Sequence, residues 1–331
     1  MKRHANLSVF VPQMGCPHRC SFCSQREISG SGAPVPGEVR ALCEAYLPAP
    51  GEGADTEIAF FGGSFTAIPR REMTRFLEEA APYVKMGRAA GIRISTRPDA
   101  VDEEILSVLR HYGVTAIELG AQSMDDAVLK KNGRGHTAED VRNAARLIRE
   151  GGFSLGLQMM VGLPGGKSAG EDARETAAAF CGMRPDTVRI YPALVLKNTP
   201  LAAWWREGAY TALTVQEAAQ ITAGLLEDFE RAGVRVIRVG LHDEPSLKES
   251  LLAGPYHPAF RQLCEGLLYE KAVAKALEGR APGRYTLRVA RGQRSTAAGQ
   301  KNGLLKKYAD KGYFLTVAED EALCGRDVQI L

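Results

Sequence analysis

The chain has 331 residues, of which 45% are hydrophobic and 24% charged, and this balance is typical of a globular protein with a large core. It excludes a disordered or fibrous chain, and no apolar run approaches the roughly 18 residues that a membrane helix needs. The net charge is only +3, and seven cysteines without a secretory signal indicate a reducing compartment, for which we expect the cytoplasm.

Short apolar or β-branched runs alternate with segments of helical periodicity over about 240 residues. The predicted strands are 7–11, 57–61, 92–95, 114–119, 155–161, 187–191 and 234–239. Apolar residues at i, i+3, i+4 and i+7 predict helices between them. Thr137 with Asp140, and Thr214 with Glu217, resemble capping boxes that open two of these helices. Repeated βα units require a mostly parallel sheet covered by helices, either an open doubly wound sheet or a barrel.

The alternation ends after Val239, where prolines and glycines precede one more amphipathic helix that begins at Phe260. We therefore expect a core domain of residues 1–250 and a small α+β accessory domain of residues 251–331. Residues 280–311 carry nine basic residues against one acidic residue. Such an excess favours contacts with phosphates, although a solvated basic surface is the plainer interpretation.

Three of the seven cysteines occur as C-x3-C-x2-C after the first predicted strand, at Cys16, Cys20 and Cys23. Three thiolates of one loop can hold three corners of a [4Fe-4S] cluster and leave one iron open. A structural zinc ion needs four ligands, and His18 inside the loop is the available fourth. Chance clustering of buried thiols is the remaining interpretation, and the spacing favours the cluster.

The cysteine motif, with the aromatic Phe22 before its last cysteine, resembles that of the radical S-adenosylmethionine (SAM) superfamily. The resemblance implies a partial (β/α)6 TIM-like barrel. It also implies that the open iron chelates the amino and carboxylate groups of SAM. An electron from a reductant such as flavodoxin or ferredoxin would then cleave SAM to methionine and a 5′-deoxyadenosyl radical.

The same resemblance assigns SAM-binding residues by their places along the chain. The turn Gly62-Gly63-Ser64 follows the second strand, where the superfamily holds the SAM amino group, and glycine lets the backbone approach a ligand closely. Gly162 and Leu163 follow the fifth strand, where the superfamily packs the adenine. The other predicted SAM contacts are Phe22, Arg97, Glu118 and Gln158. No catalytic residue is assigned.

Within the superfamily, residues 57 to about 245 look most like the radical SAM half of the catalytic subunit of Elongator, a family that modifies wobble uridine in tRNA. The shared phrases are GGSFTAIP, TRPD, ELGAQS, NGRGHT and RIYPALVLKNTPL. The tail lacks the acetyl-CoA loop [QR]-x-x-G-x-[GA] of that family. The segment that begins at Gln300 comes nearest, but Leu305 stands where glycine or alanine is needed.

We therefore expect a radical SAM enzyme with tRNA or another RNA as the favoured substrate. The predicted RNA-binding residues are Arg288, Arg291, Arg294 and Lys301. One alternative keeps the chemistry but uses a small molecule or a peptide, and another is an RNA-binding protein with a structural iron-sulfur cluster. The substrate atom, the fate of SAM and the oligomeric state do not follow from the sequence.

Overall fold

The computed structural model describes residues 5–11, 16, 20–24 and 34–331. The strands in these ranges are β1 (Ala5–Val11), β2 (Thr56–Gly62), β3 (Gly91–Thr96), β4 (Val114–Gln122), β5 (Ser154–Val161), β6 (Thr187–Pro192), β7 (Val195–Leu196), β8 (Arg235–Val239), β9 (Leu251–Ala253), β10 (Gly283–Ala290), β11 (Tyr313–Asp320) and β12 (Val328–Ile330). The α-helices are α1 (Glu38–Tyr46), α2 (Arg70–Lys85), α3 (Glu103–His111), α4 (Asp126–Lys131), α5 (Ala138–Glu150), α6 (Ala169–Met183), α7 (Pro200–Arg206), α8 (Val215–Arg231), α9 (Pro245–Ser250), α10 (Phe260–Ala276), α11 (Arg294–Ala298) and α12 (Gly303–Ala309). All seven strands predicted from the alternation are present.

These seven strands form one parallel sheet in the order β1-β2-β3-β4-β5-β6-β8. The order follows the chain without reversal, whereas a doubly wound sheet reverses its order at a switch point. The sheet is curled into a half-barrel, so the predicted partial barrel is confirmed. The helices between the strands bury their apolar faces against it, and all carboxyl ends of the strands lie at one edge.

Side-chain caps start several of the helices. Both predicted capping boxes are present, with Thr137 and Asp140 at α5 and Thr214 and Glu217 at α8. Ser168 and Glu171 form a third at α6. Each box satisfies two backbone N–H groups that have no partner inside the helix.

Helix α10 contributes to two hydrophobic cores. Phe260, Cys264 and Leu268 in its first half pack in the core of the parallel sheet. Tyr269 and Val273 in its second half pack in a smaller core with β10, β11, α11 and α12. The predicted boundary at residue 250 stays a prediction, and the described residues on either side of it are linked by pairing of β7 with β9.

Residues 283–330, which we call the C-terminal unit, form a three-stranded sheet in the order β11-β10-β12 with α11 and α12 packed on one face. β10 pairs in parallel with β11 and antiparallel with β12. This mixed sheet with two short helices is the small α+β part that was expected. No helix among the described residues is both long and apolar enough to cross a membrane.

Candidate active site

Most of the residues predicted to bind the cluster and SAM lie along the carboxyl edge of the parallel sheet. Cys16, Cys20, Phe22 and Cys23 follow β1, Gly62 ends β2, Gly63 and Ser64 follow it, Arg97 follows β3, and Gly162 and Leu163 follow β5. Glu118 and Gln158 lie within β4 and β5. The fold therefore gathers sequence-distant residues at the edge where parallel barrels place their sites.

The cysteine segment is described only in part. Cys20 is buried, whereas Cys16 and Cys23 are exposed, and the Cys23 N–H donates to the Cys20 carbonyl at 3.1 Å. No three His, Cys, Asp or Glu side chains of the described ranges are grouped closely enough to hold a metal ion. The three sulfurs thus do not converge on one point in this structure. His18, the alternative zinc ligand, lies outside the described residues.

Arg134 is the functional candidate missing from the sequence-based set. Its Nη1 donates to Cys20 Sγ at 3.1 Å, its Nη2 donates to the Gly120 carbonyl, and its Cζ lies 6.0 Å from the centre of the Phe22 ring. The buried Nε has no hydrogen-bond partner in the described part of the chain. The guanidinium thus lies against the sulfur of a predicted cluster ligand. The signal in the sequence is the arginine flanked by glycines in NGRGHT, and both glycines have positive φ.

Asn132, at the start of the same turn, ties three loops together. Its Oδ1 accepts from Ser21 Oγ at 2.5 Å, and its backbone carbonyl accepts from the Ser21 N–H at 3.1 Å. Its Nδ2 donates to the Pro164 carbonyl at 2.7 Å. The Asn132 side chain is fully buried, so these bonds are shielded from water. They hold the cysteine loop and the loop after β5 against the Arg134 turn.

The glycine-rich turn after β2 packs its backbone directly against the end of β1. Gly62 has φ +112°, and a Cβ there would lie 2.9 Å from a ring carbon of Phe10 and 3.0 Å from the Val11 carbonyl oxygen. The Gly63 N–H donates to that same carbonyl at 2.7 Å. A side chain at Gly62 would therefore be strained in conformation and short of space. Packing against the end of β1 therefore requires glycine here, and the predicted SAM contacts of Gly62 and Gly63 stay predictions.

Ser64 and Arg97 are both engaged with neighbouring protein groups. Ser64 Oγ accepts from the Arg97 N–H at 3.1 Å and shares a hydrogen bond of 2.9 Å with Thr96 Oγ1. The Arg97 guanidinium forms a two-pronged ion pair with Asp99, in which Nη2 lies 2.7 Å from Oδ2. These bonds fix the end of β3 against the turn after β2. The predicted contacts of Ser64 and Arg97 with SAM stay predictions.

Glu118 is the centre of a polar network inside the half-barrel. It is 1% exposed, and Arg189 Nε lies 2.7 Å from its Oε2 while Arg93 Nη1 lies 3.3 Å from its Oε1. Gln158 Nε2 donates to Oε2 at 3.2 Å. Arg93 also pairs with Glu57 at 2.7 Å. The network joins five neighbouring strands, and the predicted SAM contacts of Glu118 and Gln158 stay predictions.

An apolar patch joins the cysteine loop to the loop after β5. Phe22 packs against a buried cluster that contains Met160, Leu163 and Ala193. Gly162, with φ +94°, has no space for a side chain, because a Cβ would meet Leu213 at 2.9 Å. The predicted pair Phe22 and Leu163 therefore share one apolar surface. Leu163 is 4% exposed, and the predicted packing of adenine on this pair stays a prediction.

His136 lies buried behind the Arg134 turn, where its Nε2 is 3.2 Å from the Ala121 carbonyl oxygen. Burial, and next the Arg134 charge, lower the pKa of His136 from 6.5 to about 4. The neutral ring is thus the native form, and His136 is unsuited to act as a cationic acid at neutral pH.

Stability should fall as the pH is lowered from 6.5 towards 4, because the unfolded chain takes up a proton that native His136 does not bind. At 1.36 kcal/mol per pKa unit, the loss is at most about 3 kcal/mol. Urea unfolding at pH 7.5, 5.5 and 4.5 would measure it. His136→Gln should flatten the pH dependence in this window, and an unchanged slope in that variant would contradict the assignment.

The predicted RNA-binding residues are not part of this edge. Arg288 lies in β10, Arg291 in the turn after it, Arg294 at the start of α11 and Lys301 in the loop that follows α11. They do not share one helical face.

A half-barrel whose first loop carries three cysteines defines a class of enzymes that pair an iron-sulfur cluster with SAM. The model of the radical SAM superfamily matches residues 10–176, and that of the radical SAM C-terminal domain matches residues 185–270. The chain therefore belongs to the radical SAM superfamily, a superfamily of enzymes whose members use a [4Fe-4S] cluster and SAM.

Among the curated relatives, a tRNA uridine(34) acetyltransferase of Dehalococcoides mccartyi is 36% identical over 142 residues, which is 42% of this chain and 30% of the relative. The Elongator complex protein 3 of Bos taurus is 29% identical over 250 residues, 67% of this chain and 45% of the relative. The chain thus spans less than half the length of these relatives. The predicted resemblance to the radical SAM core of Elongator subunits is confirmed.

A solved structure of the archaeal Elp3 of Methanocaldococcus infernus, lacking its N-terminal residues 1–46, has the same fold. Its TM-score with this chain is 0.65 at 22% identity, and the match covers 82% of this chain and 64% of that one.

Proposed function

We propose that Cys16, Cys20 and Cys23 bind a [4Fe-4S] cluster with one open iron, and that the chain uses SAM at that iron to modify RNA, with tRNA as the favoured substrate. The observation that carries the proposal is the hydrogen bond from Arg134 to Cys20 Sγ at 3.1 Å, at the strand edge where the site is expected. When bound, the reduced cluster supplies the electron that cleaves the sulfonium of SAM. Flavodoxin or ferredoxin is the proposed donor, and the cytoplasm is the proposed location.

The residues of this chain fit both groups. Three thiols within eight residues are the ligand type that such clusters take, and a hydrogen bond to a ligand sulfur tunes the cluster potential. Gly62 and Gly162 let their turns pack closely against Phe10 and Leu213, where a Cβ would clash, so both turns stay tight against the strand edge. The apolar surface of Phe22 and Leu163 would pack the adenine, and the partners of Ser64, Arg97, Glu118 and Gln158 hold their strand ends in place.

An anionic substrate is favoured by a cation inside the mouth of the half-barrel. Arg238 donates from Nε to the Gly240 carbonyl at 2.9 Å, and no carboxylate of the described residues lies within ion-pair distance of it. Burial is the main cause that lowers the pKa of Arg238, and Arg189 lowers it further, so an anion there would be stabilising. The tRNA in the names of the relatives points to RNA as that anion.

The test is an anaerobic incubation of reconstituted protein with SAM, dithionite and total tRNA, with acetyl-CoA left out. We expect 5′-deoxyadenosine and a new nucleoside, both measured by mass spectrometry, and neither product from Cys20→Ala. Release of 5′-deoxyadenosine without any new nucleoside would favour a small molecule or a peptide as substrate. If an intact, reduced cluster released none, the chain would be an RNA-binding protein with a structural cluster.

A further inference from the structure

The C-terminal unit is built as strand, helix, loop, helix, strand. β10 and β11 pair in parallel from Gly283 with Tyr313 to Ala290 with Asp320, and α11 and α12 connect them on one face. Leu287, Val317 and Leu304 fill the core between the helices and the sheet. The short loop between the helices begins at Gly299, and it contains the QKN segment that is nearest to an acetyl-CoA loop in sequence.

The loop makes a tight turn that exposes its middle. Gly299 has φ +73°, and a Cβ there would lie 3.0 Å from the Leu304 nitrogen, so only glycine fits. Lys301 and Asn302 follow with φ +50° and +59°, the left-handed region that asparagine tolerates well. The side chains of Lys301 and Asn302 are exposed, and neither makes a hydrogen bond or ion pair with the described residues.

Ion pairs sort the basic residues of residues 280–311 into two groups. Arg288 pairs with Asp320 at 3.0 Å, Arg291 pairs with Glu321 at 3.2 Å, and Lys307 pairs with Glu270. Arg294, Lys301 and Lys306 are exposed and have no carboxylate within ion-pair distance in the part of the chain that the structure describes. Arg280, Arg284 and Lys311 are likewise exposed and without an ion pair in that part of the chain, so the loop and the two helices beside it hold three of the six cations left without a carboxylate.

We propose that the C-terminal unit binds single-stranded RNA and that the loop 299–303 holds its sugar-phosphate backbone. KH modules clamp about four nucleotides with a G-x-x-G loop, and here Gly299-Gln300-Lys301-Asn302 has that spacing, with left-handed Asn302 in place of the second glycine. Both helices also pack against β11, which is an edge strand among the described strands and offers unpaired backbone groups to a base.

The inference builds on the proposal that RNA is the substrate, but it concerns a separate site and its assay needs neither SAM nor a reductant. It also narrows the RNA-binding set predicted from the sequence. Arg294 and Lys301 stay in the set and Lys306 joins them, whereas the charges of Arg288 and Arg291 are offset by carboxylates.

The experiment measures binding of the full, anaerobically reconstituted chain to a fluorescein-labelled 12-nucleotide RNA by anisotropy. Gln300→Asp with Lys301→Asp should weaken binding by on the order of tenfold, since two carboxylates would face phosphates. The matched control is Arg284→Asp with Gln329→Asp. It makes the same change in net charge on strands β10 and β12, with both side chains on the sheet face opposite the helices, and should weaken binding less than about twofold.

Three phosphate contacts predict a slope of log affinity against log salt near −2, and the loop variant should flatten it. Lys301→Gly provides a variant without folding risk, because glycine relieves the positive φ while one cation is removed. It should keep the stability of the parent and bind about threefold more weakly.

Four results would overturn the proposal: no binding of single-stranded RNA by the parent at 50 mM salt, equal weakening by the loop and control pairs, equal affinity for duplex RNA, or tighter binding of single-stranded DNA. If the chain binds RNA through the loop but forms no new nucleoside, the proposed function fails and this inference stands. If a new nucleoside forms but the chain does not bind RNA through the loop, this inference fails and the proposed function stands.

Discussion

Replacing any one of Cys16, Cys20 and Cys23 with alanine is expected to abolish both the iron-sulfur absorbance and the cleavage of SAM. The parent should take up about four irons per chain on anaerobic reconstitution. Each of the three thiols would be one of only three protein ligands, so the loss of one leaves two irons of the cluster without a protein ligand. Iron content, the visible spectrum and released 5′-deoxyadenosine measure the effect.

The control for these variants is Cys324→Ala, which removes an exposed thiol in a turn near the end of the chain. It should keep the full iron content and activity. Full iron content in a Cys16, Cys20 or Cys23 variant would show that another residue is the ligand. Zinc without iron after anaerobic purification would replace the cluster with a structural metal site.

Glu118→Ala is expected to lower the free energy of unfolding by about 3–5 kcal/mol, because it leaves buried guanidinium groups without their carboxylate. Arg189 Nε lies 2.7 Å from Glu118 and Arg93 Nη1 lies 3.3 Å from it, and all three side chains are largely buried. Arg93 keeps Glu57 as a partner, so most of the lost stability comes from Arg189, which is left without a carboxylate. The urea midpoint of the anaerobically handled protein measures the change.

Glu104→Ala is the matched control, since it breaks an exposed ion pair with Arg70 that has a similar distance of 2.8 Å. Exposed pairs contribute about 0–1 kcal/mol, so the midpoint should move little. Glu118→Gln should lie between the two, because the amide keeps an acceptor oxygen for one guanidinium. Equal effects of Glu118→Ala and Glu104→Ala would show that the interior network adds no more than a surface contact.

The positions of the strands follow from the sequence because burial and the β-branched residues mark each strand locally. Their order does not, since helical and strand periods are the same in an open sheet and in a barrel. Local patterns also predict the caps at Thr137 and Thr214, where both partners lie within four residues. Contacts between distant residues are a different matter, because no period marks them.

The features of the site that the sequence does not predict depend on long-range contacts of this kind. Arg134 lies 114 positions from Cys20, and its turn meets the cysteine loop only because β1 and β4 end at the same edge. The charge count over residues 280–311 stops short of Asp320, which lies 32 positions after Arg288 and is brought beside it by the pairing of β10 with β11. A net charge read along a segment therefore overstates what the folded surface presents.

Helix α10 has one half in each core, and its length therefore sets the spacing between the two cores. An α-helix rises 1.5 Å per residue, so its 17 residues form a stiff strut of roughly 25 Å. The loop 299–303 contacts this helix, so a strand of RNA held by the loop would lie at a fixed distance from the half-barrel and reach it only with a nucleotide a set number of positions away. The choice of target base would then depend on the number of nucleotides between the two sites as well as on the shape of the pocket.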